Sequence, residues 1–190
     1  MLNLVLFGPP GAGKGTQADF LIEKFHLTHL STGELLRDQI AERTELGKQA
    51  ELYMDKGFLV PDSLVIEMLK AELLEHKDVI GFVFDGFPRT VEQAKALDEM
   101  LSKNGTEIAG MLLLSVEKDE LIKRLLTRAK TSGRPDDQGT EIIENRIHEY
   151  DEKTRPIKDY YAAQNKFHRI RGMGSVEEIA ERLIETVSAL

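Results

Sequence analysis

The stretch Gly8-Pro9-Pro10-Gly11-Ala12-Gly13-Lys14-Gly15-Thr16 decides the fold. It joins an apolar run, Leu2–Phe7, to a segment over 14–25 that reads as a helix. Glycines let the backbone turn tightly, so that successive N–H groups can point at one anion. A helix starting near Lys14 adds its positive pole at the same spot. A lysine in the first helical turn opposes that pole, at a cost of about 0.3–1 kcal/mol unless an anion sits there. A plain Gly/Pro turn has no use for such a lysine. Strand, glycine loop, helix and lysine together point to a phosphate cradle.

Outward from this loop the chain alternates short apolar runs with amphipathic segments. Leu2–Phe7, Phe82–Phe84, Ile108–Leu114 and 166–171 read as strands. Helices are expected over 14–25, 33–42, 45–56, 62–76, 90–103, 118–130, 140–164 and 176–188, with Pro156 kinking or dividing the long one. Ser31 with Glu34, Thr90 with Gln93 and Ser175 with Glu178 have the spacing of capping boxes. This order predicts an α/β fold, a parallel sheet with helices on both faces, whose ligands bind beyond the carboxyl ends of the strands. The residues after Phe7, Phe84 and Leu114 should therefore meet in one crevice. Residues 31–60, two helices without a strand between them, and the polar, breaker-rich 131–140 fit the alternation less well and read as flaps.

Composition narrows the class. The 190 residues carry 25 Lys plus Arg against 33 Asp plus Glu, a net charge of −8 that argues against nucleic acid or an anionic membrane as partner. Zero cysteines exclude disulfides, a thiolate nucleophile and cysteine-ligated zinc. Met1–Phe7 lacks a basic flank and is cut off by Gly8-Pro9-Pro10 far below spanning length, so no targeting or membrane segment is expected and the location reads as cytoplasmic. The five histidines show no ligand spacing and read as surface or packing residues.

The general phosphate-loop pattern places a hydroxyl directly after the lysine; here Gly15 intervenes before Thr16. That departure disfavours GTPases and motor ATPases, and Gly-Lys-Gly-Thr resembles the nucleoside monophosphate kinases. Further stretches resemble adenylate kinase: Ser31-Thr32-Gly33-Glu34-Leu35-Leu36-Arg37, Gly57-Phe58-Leu59-Val60 and Asp85-Gly86-Phe87-Pro88-Arg89-Thr90 with Gln93. So do the Arg124/Arg128 pair, Gly133-Arg134-Pro135-Asp136-Asp137 and Arg146. The match runs in order from residue 2 to about 176. It implies a P-loop NTPase-like single domain: a core of 1–30, 61–126 and 138–190, a helical NMP-binding flap over 31–60, and a short lid over 127–137. Relatives with longer lids often carry a four-cysteine zinc site; no zinc is expected here.

The resemblance also assigns roles. Gly11, Ala12, Gly13, Lys14, Gly15 and Thr16, with Arg124, Arg128 and Gly174, would bind ATP. Thr32, Arg37, Phe58, Leu59, Val60, Gly86, Phe87, Pro88, Arg89 and Gln93, with Arg134 and Arg146, would bind AMP. Lys14, Arg89, Arg128, Arg134 and Arg146 would serve catalysis, and Arg155 would join the arginines gathered around the site. Asp85 would hold water around Mg²⁺, the implied cofactor, and Pro88 would be cis. Each residue has a plainer reading beside this one. Thr32 can help start a helix, Gln93 can cap against Thr90, and Asp85 can cap a turn. On spacing alone Arg124 and Arg128 read as one solvated helix face. Asp136 and Asp137 read either as lid-pinning partners of arginine or as solvated carboxylates.

The implied reaction is reversible, Mg²⁺-dependent phosphoryl transfer from ATP to AMP giving two ADP, serving adenine nucleotide homeostasis in a monomer. The attacking phosphate oxygen is already anionic. Charge neutralisation and in-line positioning therefore matter more than a general base, which suits a site of arginines without His or Cys. The alternatives are a UMP/CMP kinase, which Thr32 and Gln93 lean against, and a GTP-using AMP kinase. A non-catalytic nucleotide sensor has little reason to keep both phosphate clamps.

Overall fold

The computed structural model describes all residues except Lys77, Gly133, Pro135, Asp136 and Gln138. Five parallel strands form one sheet in the order β2-β3-β1-β4-β5: β1 Leu2–Phe7, β2 Thr28–Ser31, β3 Gly81–Asp85, β4 Ile108–Ser115 and β5 Phe167–Arg171. The helices are α1 Lys14–Phe25, α2 Thr32–Ala41, α3 Glu45–Met54, α4 Asp62–Glu75, α5 Val91–Lys103, α6 Lys118–Ser132, α7 Thr140–Glu149, α8 Ile157–Ala162 and α9 Val176–Ser188.

Side chains alternate across a strand, and this sheet is buried on both faces. Val5, Phe7, Phe82, Phe84 and Met111 face one core with Leu69 of α4, Leu97 of α5 and Tyr161 of α8. Leu4, Leu6, Val83, Leu112 and Leu114 face the other with Leu21 of α1, Leu121 of α6 and Leu183 of α9. Helices thus cover both faces, as the sequence predicts. Near its start β1 shifts register against β4 between Asn3 and Leu4. The fully buried Asn3 amide spans this irregularity, donating to Thr106 Oγ1 and Glu107 O, both at 3.0 Å.

Two expectations change. Thr28–Ser31 is a fifth strand; four residues of mixed polarity, paired on one side only, leave no apolar run to read. The expected long helix over 140–164 is three pieces: α7, a π-helical turn at Tyr150–Thr154, and α8 after Pro156. The five-residue hydrogen-bonding pitch of that turn comes just before the proline, which lacks an N–H to continue an α-helical ladder.

Candidate active site

Sheet register brings the site loops to one level. Leu6 is opposite Asp85, and Asp85 is opposite Ser31, so the chain leaves β1, β3 and β2 at neighbouring points. Beyond these ends lies a cavity of about 640 Å³. Its walls come from the phosphate loop, from Thr32, Arg37 and Phe58–Val60, from Asp85–Arg89 with Gln93, and from Arg124, Arg128, Arg134 and Arg146.

The helix behind the loop opens with Gly13 at φ 91°, a left-handed conformation that glycine adopts without strain. No side chain caps α1 and no acidic residue lies in its first turn. By contrast α2, α3, α5 and α9 start under the hydroxyls of Ser31, Thr44, Thr90 and Ser175. The amides of α1 therefore face the cavity as anion donors. Lys14 Nζ reaches back across the loop and donates to Gly8 O at 2.9 Å and to Pro9 O at 3.3 Å. Burial pushes Lys14 down to about 8; Asp85 opposes this, while Arg89, Arg146 and Arg128 reinforce it.

At the end of β3, Gly86 O accepts from Thr32 Oγ1 and from Arg89 Nε, both at 2.8 Å. This one carbonyl ties β3 to the start of α2 and aims the Arg89 guanidinium. Gly86 has φ 76°, and a Cβ there would lie 3.0 Å from Arg89 NH2 and 3.1 Å from Thr32 Oγ1. Arg37 and Arg89 converge: a Cβ on Gly33 would come within 3.3 Å of one guanidinium and 3.8 Å of the other. The Phe87–Pro88 peptide bond is cis. Gln93 caps α5 only by half. Its N–H donates to Thr90 Oγ1 at 3.1 Å, whereas its side-chain Oε1 accepts from Arg89 N at 2.7 Å. Of the three expected boxes, among the described residues, that of Ser175 and Glu178 is the reciprocal one, because Glu178 returns to its cap's backbone N–H.

The opposite wall is arginine-rich. Arg128 donates from Nε and NH2 to the two carboxylate oxygens of Asp137, and Arg146 NH1 donates to Oδ1 at 2.6 Å. Asp137 is fully buried. Burial acts to raise its pKa, but Arg128, Arg146 and Arg134 outweigh that and hold it below the ordinary carboxylate range. Arg124 spans from α6 to the loop and to the turn after β5, donating to Ala12 O at 3.4 Å and Gly172 O at 3.2 Å, with Glu120 on its Nε. It is thus no plain solvated residue. Gly133, Pro135 and Asp136 lie outside the described residues. Ala12 is buried within the loop, and neither it nor Gly174 is among the residues that line the cavity. Arg155 is exposed and pairs with Asp151 at 2.7 Å.

His29 corrects its reading as a surface or packing residue. It lines the cavity with Nε2 3.9 Å from Asp85 Oδ2, and the carboxylate raises its pKa. Burial works to raise Asp85 in turn, but His29, Lys14 and Arg89 prevail and keep it ionised. Glu149 and Asn145 were also hidden in the sequence, since helical polar residues without a motif carry no signal. Glu149 Oε2 accepts from Leu59 N at 3.2 Å and Asn145 Nδ2 donates to Lys56 O at 3.0 Å, fastening α7 to the segment between α3 and α4.

A parallel sheet with a glycine-and-lysine loop after β1, faced by arginines on two sides, defines a P-loop nucleotide phosphotransferase. The adenylate kinase family profile matches residues 6–166. The adenylate kinases of Flavobacterium psychrophilum and Flavobacterium johnsoniae are each 52% identical to this chain over 190 residues, the whole of both sequences. That of Parabacteroides distasonis is 50% identical over 188 residues, 99% of this chain and 98% of its own. The chain belongs to the adenylate kinase family, and with it to the nucleoside monophosphate kinases. No helix among the described residues is long and apolar enough to cross a membrane.

Proposed function

We propose that the cavity binds ATP and AMP together and transfers the terminal phosphoryl group of one to the other, giving two ADP. The observation that carries this is the convergence of Lys14 and the loop amides, Arg37 with Arg89, and Arg128, Arg134 and Arg146 on one cavity. Three sets of donors at a single crevice suit a triphosphate chain meeting a monophosphate end to end.

Lys14 and the α1 amides hold the donor's outer phosphates, and Arg37 and Arg89 grip the acceptor phosphate through guanidinium forks. Arg128, Arg134 and Arg146 balance the charge that spreads over the transferring group. Thr32 and Gln93, with the backbone of Phe58–Val60, border the acceptor base, while Arg124 lies over the donor base. Residues 31–60 and the lid at 127–137 close over the nucleotides and exclude water, which would otherwise take the phosphoryl group.

Asp85 and Thr16 offer hard oxygen atoms beside the loop; a Cβ on Gly15 would sit 3.8 Å from Asp85 Oδ2. Among the described residues no group of three or more His, Cys, Asp or Glu forms a cage. This suits Mg²⁺, which keeps several waters and takes its remaining ligands from substrate phosphates. Asp85 would hold it through water, and the ion would neutralise charge on the donor's phosphates.

A coupled assay of ADP formation, run over a panel of nucleoside monophosphates with ATP or GTP, tests the proposal. AMP with ATP should give the highest rate. Turnover confined to UMP and CMP, or none from folded protein, would overturn it.

A further inference from the structure

We propose that Asp62 is a specificity-determining positioning residue: it locks the Gln93 side-chain amide in the one orientation that matches a 6-aminopurine and mismatches a 6-oxopurine. The inference rests on the reading of Gln93 as a contact to the acceptor base.

Asp62 is the first residue of α4 and, among the described residues, does not line the cavity. It stands behind Gln93, which does. Asp62 Oδ1 accepts from Gln93 Nε2 at 2.7 Å, and Oδ2 accepts from Thr90 Oγ1 at 2.8 Å. On the other side Gln93 Oε1 accepts from Arg89 N at 2.7 Å. A carboxylate can only accept and a backbone N–H can only donate. Flipping the amide would set Nε2 against the Arg89 N–H and Oε1 against the carboxylate, two repulsive contacts in place of two short hydrogen bonds. Gln93 is 1% exposed, so water cannot compensate.

The two fixed contacts use one N–H and one lone pair of the amide. The second N–H and the second lone pair remain to meet a base, with their order set by Asp62 and Arg89. Adenine presents an amino donor at position 6 and an acceptor at N1. A 6-oxopurine presents an acceptor at position 6 and a donor at N1, the reverse pair. An amide free to turn over would serve both; one held from behind serves the first. A bland reading exists, since a carboxylate in a first helical turn also stabilises the helix through its charge. The two readings separate because Asp62→Asn loses the charge but keeps an oxygen acceptor, and the Thr90 hydroxyl can accept as well as donate.

The test measures kcat/KM for AMP and for IMP at fixed Mg-ATP in wild type, D62A, D62N, Q93L and the double variant D62A/Q93L, with melting curves for each. D62A should lower the AMP-over-IMP ratio about tenfold, the order of one hydrogen bond to a charged group. The change should lie in KM, with kcat at saturating AMP near wild type. D62N should recover most of the ratio, and D62A should leave the ratio unchanged in the Q93L background. Equal losses for AMP and IMP, or D62N matching D62A, would assign Asp62 to helix stability alone and overturn the proposal. A Q93L variant with wild-type KM for AMP would instead overturn the base-contact reading beneath it.

Discussion

Arg128 meets Asp137 through two parallel hydrogen bonds, each 2.7 Å long, and the same carboxylate takes a third from Arg146. One buried acid therefore holds together two of the guanidiniums assigned to the transferring phosphate. Truncating Asp137→Ala should cost about 1.5–3 kcal/mol, the range for hydrogen bonds to charged groups. Urea unfolding measures this.

The same pair predicts an acid limb. The folded-state pKa of Asp137 lies below its ordinary 3.8, so its stabilisation is fully present above that value. It is lost as pH falls through the lower folded value. Asp137→Asn should therefore lose less stability than wild type between pH 4 and strongly acid conditions, read as the difference between two unfolding titrations.

Lys14 is shifted the same way, but here the shift marks a charged form that burial disfavours. Its folded value of about 8 is below the ordinary 10.5, so the unfolded chain binds the proton more tightly. Relative to Lys14→Met, the ligand-free protein should gain stability as pH rises from about 8 to 10.5. A bound polyphosphate raises the lysine's pKa, so nucleotide binding should take up a proton in that window and lose affinity as pH rises across it. Calorimetry in buffers of different ionisation heat reads the uptake directly; observed heats that do not vary with the buffer would contradict the assignment.

Lys14→Met should lower kcat by about 10²–10³-fold while the protein stays folded. Loss of one well-placed charge donor costs about 3–4 kcal/mol in the transition state. Wild-type rates in the coupled assay would remove the loop lysine from the chemistry.

Gly86→Ala should destabilise the fold by about 1–3 kcal/mol, the cost of a side chain at such a backbone conformation. Because the added methyl group presses on Arg89 and Thr32, KM for AMP should rise more than KM for ATP. Equal rises in both would detach Gly86 from the AMP side.

The glycine loop, the alternating strands and the arginines were legible in the sequence because each is local. Leu2–Phe7 and Ile108–Leu114 are mostly apolar runs of strand length, and Gly8–Thr16 has a spacing with a mechanism. What could not be read depends on distant partners. Thr28–Ser31 becomes a strand only because β3 lies alongside it, and His29 turns toward the cavity as a result. Asp62 looks like any acid at a helix start until Gln93, 31 residues later, arrives opposite it. Glu149 ends a charged helix, and its bond to a backbone N–H 90 residues away leaves no trace in spacing.

The strand order has a consequence for how the molecule comes into being. Leu4 in the central strand pairs with Val83 and Gly110, which lie 79 and 106 residues further along the chain. Parallel partners so remote must each close a long loop before any pairing rewards it. The cradle after β1 is thus assembled late, when its flanking strands have found their register. In a refolding experiment, ATP binding should return together with the buried sheet and never ahead of it.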